Sequence, residues 1–154
     1  MGVNASRVKH VLDTDASVAL AAAAAITATA TATPVSLNEL DLAYWQDGNE
    51  IPYGLIAIAL NITAADRTTG DETYVFTIQV DDTSDHSNNP VTVATLALVG
   101  TYTGTYYVYV DSGNIPKLDP DTSGSDKWIA CKATLGGTTP ILSYTAVMTK
   151  SIKA

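Results

Sequence analysis

The chain consists largely of short runs in which apolar and polar residues alternate with a period of two. Successive side chains of a β-strand point to opposite faces, so such a run predicts a strand with one buried face. The clearest example extends from Glu72 to Asp82, where the set expected to face inward is Tyr74, Phe76, Ile78 and Val80, and the set expected to face outward is Val75, Thr77, Gln79 and Asp81.

Further runs of this kind are separated by turn residues such as Gly, Pro, Asn and Asp, which end strands. They are Ala25 to Thr33, Val35 to Leu40, Tyr53 to Thr63, Val91 to Val99, Thr101 to Asp111, Lys127 to Leu135 and Ile141 to Ile152. The run from Tyr53 is apolar on both faces, which predicts a strand that is central or covered on both faces. We therefore expect an all-β fold: an antiparallel β-sandwich of about eight strands, jelly-roll-like, with an N-terminal arm.

Two opposing preferences meet near the N-terminus. The alanine run Ala21 to Ala25 favours a helix, whereas the alternation of Ala25 to Thr33 favours a strand with threonine on one face. Met1 to Ala16 fits neither pattern. We expect residues 1–20 to form an arm, extended or partly helical, that orders on a neighbour, with simple disorder of this segment as the alternative. Residues 21–154 are expected to form one sandwich domain.

The net charge of −8 argues against binding to nucleic acid or to an anionic membrane. Thirteen acidic residues lie between Asp41 and Asp126, whereas the segment from Lys127 onward holds four lysines and no acid. This basic end either balances the acidic body within the molecule or contacts an acidic partner.

The only cysteine is Cys131, which lies in a strand-like run on the face of Ile129 and Ala133. We expect a buried, inert thiol rather than a nucleophile. No intrachain disulfide can form, and the N-terminal segment is a poor secretory signal because Asp13 and Asp15 precede a weakly hydrophobic alanine run. These features indicate a soluble protein made in the cytoplasm.

No catalytic motif is recognisable, so we expect neither an enzyme nor a cofactor. Asp119 to Asp126 partly matches a calcium loop, but its twelfth position is Ala130 where a bidentate Glu is needed, so a solvated turn is the preferred interpretation and no metal is expected. A second acidic cluster, Asp81, Asp82, Asp85 and His86, is interpreted as a loop kept soluble by charge; paired carboxylates for glycoside hydrolysis are the alternative.

Taken together, His10-Val11-Leu12-Asp13, the segment Ala25 to Leu40 and the strands that follow resemble the capsid cement (decoration) proteins of short-tailed bacteriophages. The resemblance extends loosely along nearly the whole chain. It implies a jelly-roll virion protein, made in the host bacterial cytoplasm, that oligomerises as a homodimer or homotrimer on the outer face of an icosahedral shell and bridges major capsid protein subunits. Under this hypothesis the expected contact residues are Val8, Val11, Leu12, Tyr102, Tyr106, Tyr107, Tyr109, Lys150 and Lys153.

A carbohydrate-binding β-sandwich of a phage tail or adhesin is the alternative function. Trp45, Trp128 and exposed tyrosines would stack on sugar rings, and the acidic loops would hold calcium. Binding to glycans without binding to capsids would distinguish this module from a cement protein.

Overall fold

The computed structural model describes residues 10–12, 18–36, 55–99, 103–111 and 128–153. These residues form ten strands: β1 (His10–Leu12), β2 (Val18–Ile26), β3 (Ala30–Thr31), β4 (Val35–Ser36), β5 (Leu55–Ala65), β6 (Thr73–Asp81), β7 (Val91–Ala97), β8 (Gly104–Asp111), β9 (Trp128–Gly136) and β10 (Leu142–Lys153). The described ranges contain no helix that could span a membrane. The expected all-β fold is confirmed.

All strand pairs are antiparallel, and their order is that of a long hairpin rolled into two sheets. At the tip β6 pairs with β7; moving away from the tip, β5 pairs with β8, β3 and β4 pair with β9, and β2 pairs with β10. Rolling then places β10 beside β5 and β9 beside β6. This nested pairing is a jelly roll, as expected.

Sheet I has the order β2-β10-β5-β8, with β1 on the same edge of β10 as β2. Sheet II has the order β9-β6-β7, with β3 and β4 on the free edge of β9. The central position predicted for the strand beginning near Tyr53 is therefore confirmed, since β5 is paired on both sides.

The core lies between the two sheets and is made by the inward faces of the long strands. Sheet I contributes every second residue of β5 from Ile56 to Ile62 and of β10 from Leu142 to Met148, and sheet II contributes every second residue of β6 from Tyr74 to Val80. The inward face predicted for Glu72 to Asp82 is thus correct. One assignment in that run is wrong: Asp81, expected to face outward, is only 5% exposed.

The N-terminal strand differs from the expected one. The alanine run belongs to β2, which pairs with β10, whereas the alternating segment after Ile26 forms only the two-residue strand β3. The reason is topological: this segment leaves β10 of sheet I and joins β9 of sheet II, so it bends between them. Strand pairing overrides the helix preference of alanine here.

The side chain of Thr29 fixes the segment that crosses from sheet I to sheet II, because its hydroxyl takes the place of a backbone acceptor for an N–H group of β9. Thr29 Oγ1 accepts a hydrogen bond from the Leu135 backbone N–H at 3.1 Å and lies 3.5 Å from the Leu135 carbonyl. The Ala32 N–H then donates to the Cys131 carbonyl at 2.9 Å. Burial still alternates across Ala30 to Thr33, with the alanines half-buried and the threonines exposed, so the period-two pattern persists although the regular strand does not.

Candidate interaction surface

The two exposed tyrosines of β8 stand on the outer face of sheet I. Tyr107 and Tyr109 are each 54% exposed, while their neighbours Val108 and Val110 are buried in the core. Tyr106 is half-buried and packs against the core, so it does not share the surface of the other two. Tyr102 lies outside the described residues.

Small side chains on β5 leave the tyrosines prominent. In the strand register Tyr107 is opposite Ala59, and Tyr109 is opposite Ala57. Ala59 is in turn opposite Val147 of β10. The described side chains on the outer face of β8, β5 and β10 carry no charge: they are Thr105, Tyr107, Tyr109, Ala57, Ala59, Asn61, Thr63, Ser143, Thr145 and Val147. In a protein of net charge −8, this uncharged outer face is distinctive.

Two other predicted contact segments are adjacent in sheet I. The backbone of β1 pairs with the end of β10 in the register His10↔Lys153, Val11↔Ile152 and Leu12↔Ser151. Residues of the expected arm therefore lie beside the basic end of the chain. Lys150 directly precedes Ser151 on β10 and is in register with Ile56 of β5. Val8 lies outside the described residues.

The acidic cluster after β6 organises its own loop. The Asp81 carboxylate accepts hydrogen bonds from the backbone N–H groups of Asp82 at 2.6 Å, Thr83 at 3.3 Å and Asn88 at 3.0 Å. Asp85 accepts the Ser87 N–H at 3.1 Å, and hydrogen bonds from Ser87 and Thr83 lower the pKa of this carboxyl group. These contacts explain the burial of Asp81, because a strand-end carboxylate can satisfy several loop amides at once.

His86 lies in the same loop with a left-handed backbone conformation, at φ 53°. Both of its ring nitrogens are buried without a hydrogen-bond partner. Asp81 instead directs its oxygens to backbone amides, and the described hydrogen bonds of the cluster join no carboxylate to the imidazole.

A further acidic group, not singled out by sequence patterns, occupies the turn between β5 and β6. Glu72 is 4% exposed; it accepts hydrogen bonds from the Thr69 hydroxyl and N–H and, at 2.8 Å, from the Gly70 N–H. Asp71 accepts from the Thr69 hydroxyl at 2.6 Å and from the Thr138 N–H at 3.1 Å, which ties this turn to the turn between β9 and β10. The only sequence signal for this group is the pair Thr68-Thr69, which lies between Asp66 and Asp71.

Hydrogen bonds explain the acidity of these carboxyl groups. The Thr69 hydroxyl lowers the pKa of both Asp71 and Glu72, and the Thr68 hydroxyl lowers that of Asp66. Among the described residues no group of three His, Cys, Asp or Glu side chains is arranged to hold a metal ion. The Asp119 to Asp126 segment, considered for calcium, lies outside the described residues, as does Trp45.

Cys131 is fully buried on the inward face of β9, together with Ile129 and Ala133. Burial raises the pKa of its thiol to about 12, so the thiolate is scarce at neutral pH. The expectation of a buried thiol is confirmed, and the high pKa is consistent with an inert one.

Comparison of the chain with protein-family models, with curated proteins and with solved structures finds no match.

Proposed function

We propose that this protein is a capsid cement protein, which binds the outer face of an icosahedral phage shell and bridges neighbouring major capsid protein subunits. The observation that carries the proposal is the pairing of β1 with the end of β10, because it joins two segments expected to contact the shell into one corner of sheet I. We call residues 10–12 and 150–153 the arm corner.

The chemistry of the arm corner suits a protein partner. Val11 and Leu12 are apolar, while Lys150 and Lys153 belong to the segment from Lys127 onward, which holds four lysines and no acid. Such a combination fits a partner surface with an apolar patch and acidic residues nearby. The uncharged outer face of sheet I adds further surface on the same sheet.

Bridging explains how binding without chemistry performs a function. Packaged DNA presses outward on a shell, and a ligand that binds only the assembled lattice stabilises that lattice through linkage. Repeated sites let modest contacts combine, provided that the geometry permits simultaneous engagement. The jelly roll supplies a rigid body for such contacts.

The test is addition of the purified full chain to phage shells assembled without it. We expect saturable co-sedimentation and a higher melting temperature of the shells. The variant K150E/K153E reverses the charge of the arm corner and is expected to weaken binding at least tenfold. The variant T92E/T95E, which also introduces two glutamates but on exposed positions of β7, is expected to bind as the wild type does. Absence of both saturable binding and shell stabilisation by the wild type would overturn the proposal.

A carbohydrate-binding module is the second candidate, and the exposed pair Tyr107 and Tyr109 favours it. Alternate residues of one strand lie about 6.6 Å apart, a spacing that places two rings in line on a flat face. Aromatic faces of this kind can stack on sugars. Glycan-array binding that is lost in Y107A/Y109A, with no binding to shells, would support this function over the first.

A further inference from the structure

We infer that the chain forms a two-fold symmetric dimer by antiparallel pairing of the β8 edge strand with β8 of a second copy. The inference concerns self-association and does not depend on the function proposed above. It rests on how the exposed edges of the two sheets are built.

Among the described residues every sheet edge except β8 is interrupted. The register of β2 on β10 shifts twice, between Tyr144 and Ala146 and between Ala146 and Val147. Strands β3 and β4 have two residues each with Pro34 between them, and β1 has three. The edge strand β7 follows Pro90 and has a register shift between Ile78 and Gln79. Bulges, short strands and prolines are the devices that stop an edge from pairing with another chain.

Strand β8 has none of these devices. It pairs with β5 in one unbroken register from Ile62↔Gly104 to Leu55↔Asp111. Gly104, which begins the strand, has φ +135°, so the regular edge extends over the seven residues from Thr105 to Asp111. Its sequence contains no lysine, arginine or proline, and its single acid, Asp111, stands at the end. Among the described residues no strand pairs with its second side. A regular edge of this kind presents a row of N–H and C=O groups to a partner strand.

A second copy is the partner that this edge fits. The chain carries a net charge of −8, so self-association is favoured only at a surface where like charges do not meet, and the interior of β8 is uncharged. Pairing β8 with itself also matches strand length to strand length. A two-fold axis makes the contact close on itself, so the assembly stops at a dimer.

Geometry restricts the register. Residues opposite each other in an antiparallel pair lie on the same face, so the outer tyrosines of one copy must meet outer residues of the other. This condition allows an axis through any residue of β8, and overlap of the two strands over nearly their full length places the axis at the middle: through Tyr107, which pairs Tyr107 with itself, or through Val108, which pairs Tyr107 with Tyr109. In both registers the four exposed tyrosines gather on the outer face of a continuous sheet. This gives Tyr107 and Tyr109, which are each 54% exposed, a partner.

The dimer also fixes the separation of the arm corners. Each arm corner lies on the edge of sheet I opposite β8. Counting seven strand spacings from β1 through both copies of β8 to the second β1, the two corners are separated by roughly 34 Å in the direction across the strands. The two-fold axis also places them at opposite ends of the strands, because each corner lies at the Asp111 end of β8. A dimer built in this way presents two equivalent corners at opposite edges, which suits a bridging protein.

The oligomeric state of the full chain tests the inference. Light scattering coupled to size-exclusion chromatography is expected to give the mass of a dimer for the wild type and half that mass for Y107K/Y109K, because the introduced lysines face each other across the axis. The matched control T92K/T95K places two lysines on the outer face of the other sheet's edge strand and is expected to remain a dimer. A monomeric or trimeric wild type, or a dimeric Y107K/Y109K, would overturn the inference.

Two further measurements identify the contact as the strand edge. Alternate amides of β8, those not bonded to β5, should exchange more slowly with deuterium in the dimer than in Y107K/Y109K. If the axis passes through Tyr107, the variant Y107C should form a disulfide between its two copies. If the axis passes through Val108, a disulfide should form instead in a mixture of Y107C and Y109C. Cys131 does not compete because it is buried. If deuterium exchange at β8 were unchanged and neither cross-link formed, β8 would not pair with a second β8, and the inference would be overturned.

Discussion

Phe76 of sheet II meets Tyr144 of sheet I edge to face, with the ring centroids 5.0 Å apart and the ring planes at 70°. Both side chains are buried in the core, and Phe76 is the only phenylalanine of the chain. The pair joins a strand near the tip of the rolled hairpin to its last strand, so it packs sheet II against sheet I between strands that are far apart in sequence.

The first prediction concerns this pair. Phe76→Ala is expected to lower the free energy of unfolding by about 3 to 5 kcal/mol, because a large buried side chain is replaced by a cavity. Phe76→Leu keeps much of the volume and loses the ring contact, so its cost should be smaller and include about 0.5 to 1.5 kcal/mol for the aromatic pair. Urea unfolding measures both, with Val99→Ala at an 85% exposed position as the control. Equal costs for Val99→Ala and Phe76→Ala would contradict the packing.

The sequence was sufficient to predict the strands that make this contact, and the reason is physical. In β6 every second residue from Tyr74 to Val80 enters the core, so apolar residues recur in the sequence with a period of two. Strand β5 is apolar on both faces because both are covered: every second residue from Ile56 to Ile62 enters the core, and on the outer face Ala57 is buried and Ala59 is half-buried. The number of strands and the turns between them then indicated an antiparallel β-sandwich.

The segment Ala25 to Thr33 shows what the alternation of apolar and polar residues does not predict. Its alternation predicts a strand, but the pattern does not record that the chain changes sheets after Ile26. Asp81 was placed outward by parity, yet it turns to the amides of the following loop because it stands at a strand end. Of the expected contact residues, Tyr107 and Tyr109 share a surface, whereas Tyr106 packs on the core, a difference that parity within β8 alone can predict.

The second prediction concerns the loop that Asp81 organises. Asp81→Ala removes the acceptor of three backbone amides and is expected to cost about 2 to 3 kcal/mol of stability, as for hydrogen bonds to a charged group. Deuterium exchange at Asn88 should accelerate as well. Asp85→Ala is the matched control from the same loop, and its exposed carboxylate is expected to contribute much less. Similar losses in the two variants would show that general loop charge, not the buried carboxylate, is responsible.

The third prediction compares two glycines with positive φ. Gly137 has φ +91°, and a Cβ there would lie 2.5 Å from the Asp71 carbonyl oxygen, whereas Gly70 has φ +79° and open space around it. Gly70→Ala should therefore cost about 1 kcal/mol for the left-handed backbone alone. Gly137→Ala should cost clearly more, because the turn between β9 and β10 must also move away from Asp71. Thermal or urea unfolding of both variants measures the difference, and equal costs would mean that the close approach does not persist in solution.

The fourth prediction concerns acid stability and the Thr69 hydroxyl. Asp71 and Glu72, with ordinary pKa values of 3.8 and 4.5, have lowered values in the folded protein because the Thr69 hydroxyl lies between them and shares its one proton with both carboxylates. Around these ordinary values the unfolded chain binds more protons than the folded one. The stabilisation is therefore complete above the ordinary values and is lost as the pH falls through the lowered ones.

Thr69→Val removes the hydroxyl from both carboxylates, so we expect the stability difference between wild type and variant to be largest above pH 5 and to shrink as the pH falls through about 4 towards 2. Urea unfolding at pH 7, 5 and 3 measures this difference. Thr134→Val, at an exposed position on β9, should show no such trend. If the cost of Thr69→Val were the same at pH 7 and pH 3, the hydroxyl would act through packing rather than through the ionised carboxylates, and the turn would not contribute to the acid sensitivity of the fold.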